Sequence, residues 1–412
     1  MVCHASLAIP YTAVPNLNST REYSMDVVKI AQQMIAIESV TANCNAAICE
    51  YQQQLLEELG FELEMLPYVD AQGIAKTCLA ARRGPTSTPL GTEKAGIGFF
   101  AHNDVVSVEG WNCAFSGPFE GMVAEGRLWG RGACDMKGPT AAALAAIARV
   151  EPAQQTAPIY FFLTGDEESG MTGARLLADT SAYFAEMVDQ RAVGIIGEPT
   201  SLRVVHAHKG GCHLNVSSQG VAAHSSTAQG LNANWQLIPF LASLAQLRRR
   251  CESEPQFCNL AFDPPTLSLN IVIENQPSSS NITVGRAICR IFFRPMPDTD
   301  WRQLLAEIRS AAEQHGLEVS QLPPLPPLCT PTNSPLVQSA LGLLGQTAPV
   351  AVSYATDGCC FQSLPELIVI GPGNIEQAHR ADEWIELEQL LRGVEVYQQL
   401  FEHYATAERL TN

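Results

Sequence analysis

The chain has 412 residues, 46% of them hydrophobic, which is more than one average domain needs and enough to bury a large core. A formal net charge of -17 and a pI near 4.9 exclude the basic surface that nucleic acid or an anionic membrane requires, leaving a small molecule as the expected partner. Thirteen cysteines without CxxC spacing, odd in number, point to reduced thiols in a cytoplasmic protein.

In chain order, MVCHASLAIPYTAVP lacks the basic start and long apolar run of an export signal, and no later stretch supplies about 20 uninterrupted apolar residues for a membrane helix. Helices are expected from Met25 to Ile37 and from Glu50 to Leu59, the second stopped by Gly60. Four short apolar runs bounded by Gly or Pro, at 96–101, 158–164, 192–197 and 367–372, have the pattern of strands buried on both faces. Helical stretches alternate with them: PTAAALAAIARV opens on Pro139, and TGARLLAD follows Glu168.

From about Lys209 the texture changes. CHLNVSSQ alternates, and NANWQLIPFLASLAQLRRR has helical spacing behind an Asn232 cap. Strand-like runs at 267–275 and 287–295 lead to a helix over DTDWRQLLAEIRSAAEQHG that Gly316 ends, giving a β-α-β-β-α insertion. The Pro-rich QLPPLPPLCTP at 321–331 is a stiff connector back to the first unit. The expected organisation is a first part at 1–208, an inserted unit at 209–320 and a second part at 321–412.

The chemistry lies in a series of His and carboxylate residues that follow apolar runs: His102 and Asp104 in AHND, Asp135 in GRGACDMKG, Glu167 and Glu168 in TGDEESG, Glu198 in GEPT, and His379 in AHRADE. In open α/β sheets ligands gather at the carboxyl edge of the strands, so one sheet edge collects the set. Imidazoles and carboxylates hold cations while leaving room for water and a substrate carbonyl, and a carboxylate such as Asp135 can give one oxygen to each of two metals. Adjacent side chains on an extended segment point oppositely, so one of Glu167 and Glu168 ligates while its neighbour takes protons. Asp104, two residues after His102, is placed to orient that imidazole.

Taken singly, each residue has an ordinary structural explanation: a hydrogen-bonded histidine, a turn aspartate before the Pro139 helix, a helix-start glutamate, a loop decoration. Their combined order makes coincidence improbable. His206, His208 and His213 fit domain packing better than a third metal, the arginines at 248–250 fit the cationic end of a helix, and Cys134 fits a small buried side chain.

AHNDVV, GRGACDMKG, TGDEESG, GEPT and AHRADE closely resemble the motifs of the M20 metallopeptidase family. HAHKGG, VAAHSS, GLNAN and GPGNIEQAHRADEWIE are similar to its acetylornithine deacetylase branch, so the match spans nearly the whole chain. The resemblance implies an α/β fold: a discontinuous di-metal catalytic domain with a mixed, mostly parallel sheet flanked by helices, plus an inserted smaller α/β dimerisation or lid domain. It also implies His102 and Glu198 on one metal, Glu168 and His379 on the other, Asp135 as bridge and Glu167 as general base. Two zinc ions are expected, with cobalt or manganese able to substitute in a site without thiolate. The resemblance further implies a homodimer in which His224 stabilises an oxyanion in the neighbouring subunit's site. Arg294 would grip an α-carboxylate with help from Asn281, and Asp357 would attract a distal ammonium.

The function implied is hydrolysis of an N-acyl amino acid, foremost N2-acetyl-ornithine to ornithine and acetate, a step of arginine biosynthesis. Related substrates are acetylcitrulline, another N-acyl amino acid, succinyl-diaminopimelate or a dipeptide. A reading of a different class is a catalytically silent protein that binds a ligand or partner. Two departures from the branch bear on ornithine selectivity. Asp357 stands where Thr-Glu is common, and IENQPSSSNITVG lacks the usual Gly-Gly turn and Pro.

Overall fold

The computed structural model describes residues 25–86 and 95–407. The amino-terminal stretch that carried the argument against export lies outside them. The main sheet is parallel at its centre, where Ile159–Thr164, Ile97–His102, Val193–Ile196 and Leu367–Val369 lie side by side. Antiparallel strands extend both edges: Ala75–Arg83 and then Glu62–Val69 on one side, Val205–His208 and then Leu328–Cys329 on the other. Val350–Val352 pairs in parallel with Val205–His208.

The central strands are buried throughout because both faces are covered. The two-residue period of a strand sorts their side chains. Phe99 and Phe161 enter the core beneath the helices Val27–Ala36, Ala46–Glu58, Lys137–Ile147 and Leu387–Ala405, whereas Phe100 and Phe162 enter the core on the opposite face with Leu177, Phe184 and Phe361. Helix Lys137–Ile147 is buried over its whole length, and its run of alanines lets Leu387–Ala405 pack against it. Pro139 falls in its first turn, where a missing N–H costs no hydrogen bond.

Between Cys212 and Gln321 the chain builds a separate four-stranded antiparallel sheet, ordered Asn270–Gln276, Arg286–Phe293, Cys212–Gln219, Glu318–Gln321. Helices Asn234–Ser253 and Trp301–Gln314 cover it, with Phe240, Leu244, Trp301, Leu304 and Ile308 in a core of their own. Asn232 Oδ1 accepts from the Asn234 N–H at 2.9 Å, and Gly316, at φ 65°, ends the second helix.

Several expectations need correction. The inserted sheet has a fourth strand, Glu318–Gln321, so its order is β-α-β-β-α-β. The Pro-rich segment is more than a connector, since Leu328 and Cys329 join the main sheet opposite His208 and Ala207. The edge strand Glu62–Val69 escaped notice because its pattern is broken by Pro67, tolerated where one side of a strand has no partner. A small sheet of Met122–Ala124, Arg127–Trp129 and Trp384–Glu386 was also missed, its strands being three residues each. The cysteines among the described residues are all free. Among those residues no helix is long and apolar enough to cross a membrane.

Phe361 sits where the core meets the turn that carries Asp357, its ring centroid 4.5 Å from Phe100 and 5.3 Å from Phe184. Phe361→Ala is expected to lower the unfolding free energy by about 3–5 kcal/mol in a urea titration, because it removes a fully buried ring. A loss below about 1 kcal/mol would contradict this packing.

Candidate metal centre

Each central strand delivers one part of the site as it ends. His102 is the last residue of Ile97–His102, Glu198 lies two residues beyond Val193–Ile196, and the turn with Glu167 and Glu168 follows Ile159–Thr164. The segment after Leu367–Val369 leads to His379, which adopts φ 63°. Gly371 is required where that segment crosses the Glu198 loop, since a Cβ there would lie 2.2 Å from the Gly197 carbonyl oxygen and 2.5 Å from that of Glu198.

Two groups of metal-type ligands result, His102 with Asp135 and Glu198, and His379 with Asp135 and Glu168. Asp135 belongs to both. Its Oδ1 lies 3.0 Å from His102 Nε2 and its Oδ2 lies 3.4 Å from His379 Nε2. Glu198 Oε1 is 3.5 Å from His102 Nε2, and Glu168 Oε2 is 3.0 Å from His379 Nε2. The donors are imidazole nitrogens and carboxylate oxygens without a thiolate, a set suited to borderline and hard divalent cations.

Crowding of carboxylates in a buried place sets the electrostatics of the site. Burial, reinforced by neighbouring carboxylates, pushes Glu167, Glu168 and Glu198 above the usual carboxylate range. Burial acts the same way on Asp135, but hydrogen bonding to His102 and His379 outweighs it and draws that carboxyl down. His379 is raised to about 10 by Asp135 and Glu168. Burial opposes a charge on His102, yet Asp135 and then Glu198 lift it well above the ordinary imidazole value.

The surrounding turns are held by a second set of contacts. His102 Nδ1 donates to the Asp104 carbonyl oxygen at 2.9 Å, which leaves Nε2 facing Asp135. The Asp104 carboxylate was expected to orient this ring, but its nearest oxygen is 3.6 Å from Nδ1. It instead accepts from the Glu167 and Glu168 backbone N–H groups at 3.3 and 3.4 Å and from Thr41 Oγ1 at 2.8 Å. Glu167 and Glu168 are not on an extended segment. They start a 3-10 turn, where successive side chains splay by roughly 120°. Glu168 therefore meets His379, while Glu167 is in neither ligand group and feels the charges of His102 and Glu198. Asp166, left-handed at φ 64°, anchors that turn through Lys76 and through Tyr68, whose hydroxyl donates at 3.0 Å.

Sequence reasoning missed Glu383, although AHRADE contains it. This fully buried carboxylate accepts from the backbone N–H groups of Gly132, Cys134 and Asp135 at 2.8–2.9 Å and from Arg131 Nη1 at 2.7 Å. Its local sequence gives no signal of this, since Asp382 directly precedes it; the burial comes from the distant Arg131–Asp135 turn.

The remaining predicted residues fall in three places. Arg294, just past Arg286–Phe293, stacks on Phe292 at 4.8 Å and lies near enough to Glu167 and Cys359 to sense their charge. His224 and Asn281 are exposed and neighbour each other on segments just outside the strands of the inserted sheet, with the Ser225 N–H donating to the Asn281 carbonyl oxygen at 3.0 Å. Among the described residues, neither joins a ligand group. Asp357 lies within electrostatic reach of His102 and Asp104. It is buried, Oδ2 accepts from Thr164, Oδ1 is sealed from solvent, and burial holds its carboxyl at about 7. His208 bonds the Lys209 carbonyl oxygen and Thr356 Oγ1, His206 bonds the Thr330 carbonyl oxygen, and His213 packs on Phe292 at 4.2 Å.

The family model described as Peptidase family M20/M25/M40 matches residues 98–403, which include every ligand above. The chain belongs to this family. The M20 chain is a metallohydrolase and is 31% identical to an acetylornithine deacetylase of Proteus mirabilis over 93% of its own length and 97% of that protein. It is 30% identical to an acetylornithine deacetylase of Pectobacterium carotovorum, covering 92% and 97% of the two chains. Its fold matches an M20 family metallo-carboxypeptidase from Sulfolobus solfataricus with a TM-score of 0.70 at 17% identity, covering 92% of this chain and 99% of that one. A dinuclear metal-binding M20 peptidase from Bacillus subtilis matches with a TM-score of 0.58 at 14% identity, covering 91% and 96%.

Glu383→Ala in this M20 enzyme removes the acceptor of three buried N–H groups and strands Arg131. It is expected to cost about 3 kcal/mol or more in urea denaturation and to lower the metal bound per chain by elemental analysis. Wild-type stability with full metal content would show that Glu383 does not hold the Asp135 turn.

Proposed function

We propose that the protein is a two-metal deacylase of N-acyl amino acids, with N2-acetyl-ornithine the leading substrate and ornithine and acetate its products. The observation that carries this reading is Asp135, whose two oxygens face the histidines of two separate ligand groups. The amine side is drawn from the acetylornithine deacetylases at 30–31% identity. Zinc is the leading metal, with cobalt and manganese as substitutes for this donor set.

His102, Asp135 and Glu198 would hold one cation and His379, Asp135 and Glu168 the other. Bound divalent cations polarise a carbonyl oxygen and lower the pKa of water, which is the chemistry an amide requires. Glu167, close to both groups and a ligand in neither, accepts the proton of the attacking water. It then returns that proton to the departing nitrogen, so the C–N bond breaks to give a carboxylate and a free amine. Burial, first among the causes that raise Glu167, favours its holding the proton between the two transfers. Arg294 pairs with the substrate α-carboxylate through its planar donors.

The unit at 209–320 acts as lid and dimerisation element, with 1–208 and 321–412 forming the catalytic part. His224, exposed here, serves the partner subunit's site as an oxyanion donor, with Asn281 beside it. A chain lacking 209–320 that hydrolysed substrate at the parental rate would overturn this assignment.

The test is initial rates of amine release from acetylornithine, acetylcitrulline, succinyl-diaminopimelate and a dipeptide, with metal-loaded and chelated protein. Metal-dependent preference for acetylornithine is expected. Release from none of them would reject the deacylase reading. Glu167→Ala is expected to keep its metal content and lose turnover by about 100-fold or more. Near-parental turnover would reject Glu167 as the base.

A further inference from the structure

The motif HAHKGG carries two buried side chains that no role above uses, His208 and Lys209, and they stand where the chain leaves the main sheet for the inserted unit. The outgoing and returning chains are bonded to each other there. The Gly211 N–H donates to the Leu325 carbonyl oxygen at 3.0 Å, and the Leu325 N–H donates to that of Gly211 at 2.8 Å. Only glycine fits at 210, where a Cβ would lie 2.1 Å from the Leu325 carbonyl oxygen. The root of the unit is therefore tightly packed rather than a loose linker.

Arg294 is built onto that root. Its N–H donates to the Leu267 carbonyl oxygen at 2.6 Å, and the carbonyl oxygen of Pro295, next in the chain, accepts from the Gly210 N–H at 2.8 Å. The segment with Leu267 is held in turn by Lys209, whose ammonium donates to the carbonyl oxygens of Pro264 and Thr266 at 2.7 and 2.8 Å. Among the described residues its remaining hydrogen-bond partner is the Ser268 hydroxyl at 3.5 Å. A buried ammonium needs such acceptors, so it draws the backbone of 264–268 around itself.

His208 ties the same root to the turn of Glu167. Burial draws its ring down to about 4, so the ring is neutral. With Nδ1 donating to the Lys209 carbonyl oxygen at 2.8 Å, Nε2 must accept, and it does so from Thr356 Oγ1 at 2.9 Å. The next residue, Asp357, accepts from Thr164 at the end of the strand that leads to Glu167. Buried contacts thus run from Thr164 through the 356–357 turn and His208 to Lys209 and on to Arg294, which lies within electrostatic reach of Glu167.

We propose that His208 and Lys209 are positioning residues that set the separation of Arg294 from Glu167, and with it the preference for an amide whose amine side carries an α-carboxylate. The proposal rests on the amide-hydrolase reading, in which Arg294 pairs with that carboxylate. Misplacing such a group by about 1 Å can cost on the order of 100-fold in rate.

Initial rates with N2-acetyl-L-ornithine and its carboxamide, N2-acetyl-L-ornithinamide, test it with metal-loaded protein. In the wild type kcat/KM is expected to be about 100-fold or more higher for the carboxylate, the scale of an unpaired buried charge. Lys209→Met keeps the buried stem and removes the donors, and Thr356→Val leaves His208 Nε2 without its donor. Each is expected to lower that ratio at least tenfold with metal content retained, and Thr356→Ser to restore it. A general loosening of the fold would slow both compounds alike and leave the ratio unchanged. Calorimetry in a Glu167→Ala background is expected to show the same tenfold loss for acetylornithine and none for the carboxamide.

An unchanged ratio in both variants overturns the proposal while leaving deacylation intact, and Thr356→Val alone decides where Lys209→Met fails to fold. A wild-type ratio near one removes Arg294 as the carboxylate grip and overturns the proposal with it. No hydrolysis of either compound rejects the amide-hydrolase reading and this inference together.

Discussion

Everything at the active edge depends on gathering carboxylates in a place where water cannot fully solvate them. Glu167, Glu168 and Glu198 lie just past buried strands and Asp135 in the turn before helix Lys137–Ile147, with burial the first cause opposing charge on each. Concentrated negative charge of this kind is unfavourable unless cations or protons balance it. Asp135 governs the balance because it faces both histidines, so displacing it would disturb both ligand groups at once. Glu167 differs from its neighbours by one residue of turn geometry, enough to place it near the ligands without joining them.

The precision of that arrangement comes from groups that touch no candidate ligand atom. Glu383 ties the backbone at Asp135 to the carboxyl-terminal part of the chain across 248 residues of sequence. Asp104 holds the Glu167–Glu168 turn from the neighbouring strand end, and Lys76 with Tyr68 secures Asp166 below it. These contacts are charge-assisted and wholly or partly buried, so each is stronger than a surface counterpart and costly to leave half made.

The two cores divide the work. The helix-covered main sheet fixes the strand ends, and its parallel centre sends four carboxyl termini to the same edge. The four-stranded unit has its own apolar interior and contributes Arg294 at a strand end facing that edge.

Much of this was legible in the chain itself. The apolar runs at 96–101, 158–164, 192–197 and 367–372 marked buried strands, and the acids and histidines just beyond them marked the active edge. Local pattern carries such information because strand burial on both faces writes an uninterrupted apolar run. Three-residue strands such as Trp384–Glu386 leave too little pattern to read. Asp357 was singled out by the resemblance alone, which says nothing of its burial. Only the packing of its turn against Thr164 and Phe361's core seals it inside. In the same way Glu383 acquires its meaning from the N–H groups of residues 132–135, and Asp104 from those of Glu167 and Glu168. The sequence by itself determined which residue types reach the edge, because strand and helix periodicity are local. The tertiary structure alone decided which carboxylate faces a histidine and which is buried beneath it, because those depend on contacts between segments far apart in the chain.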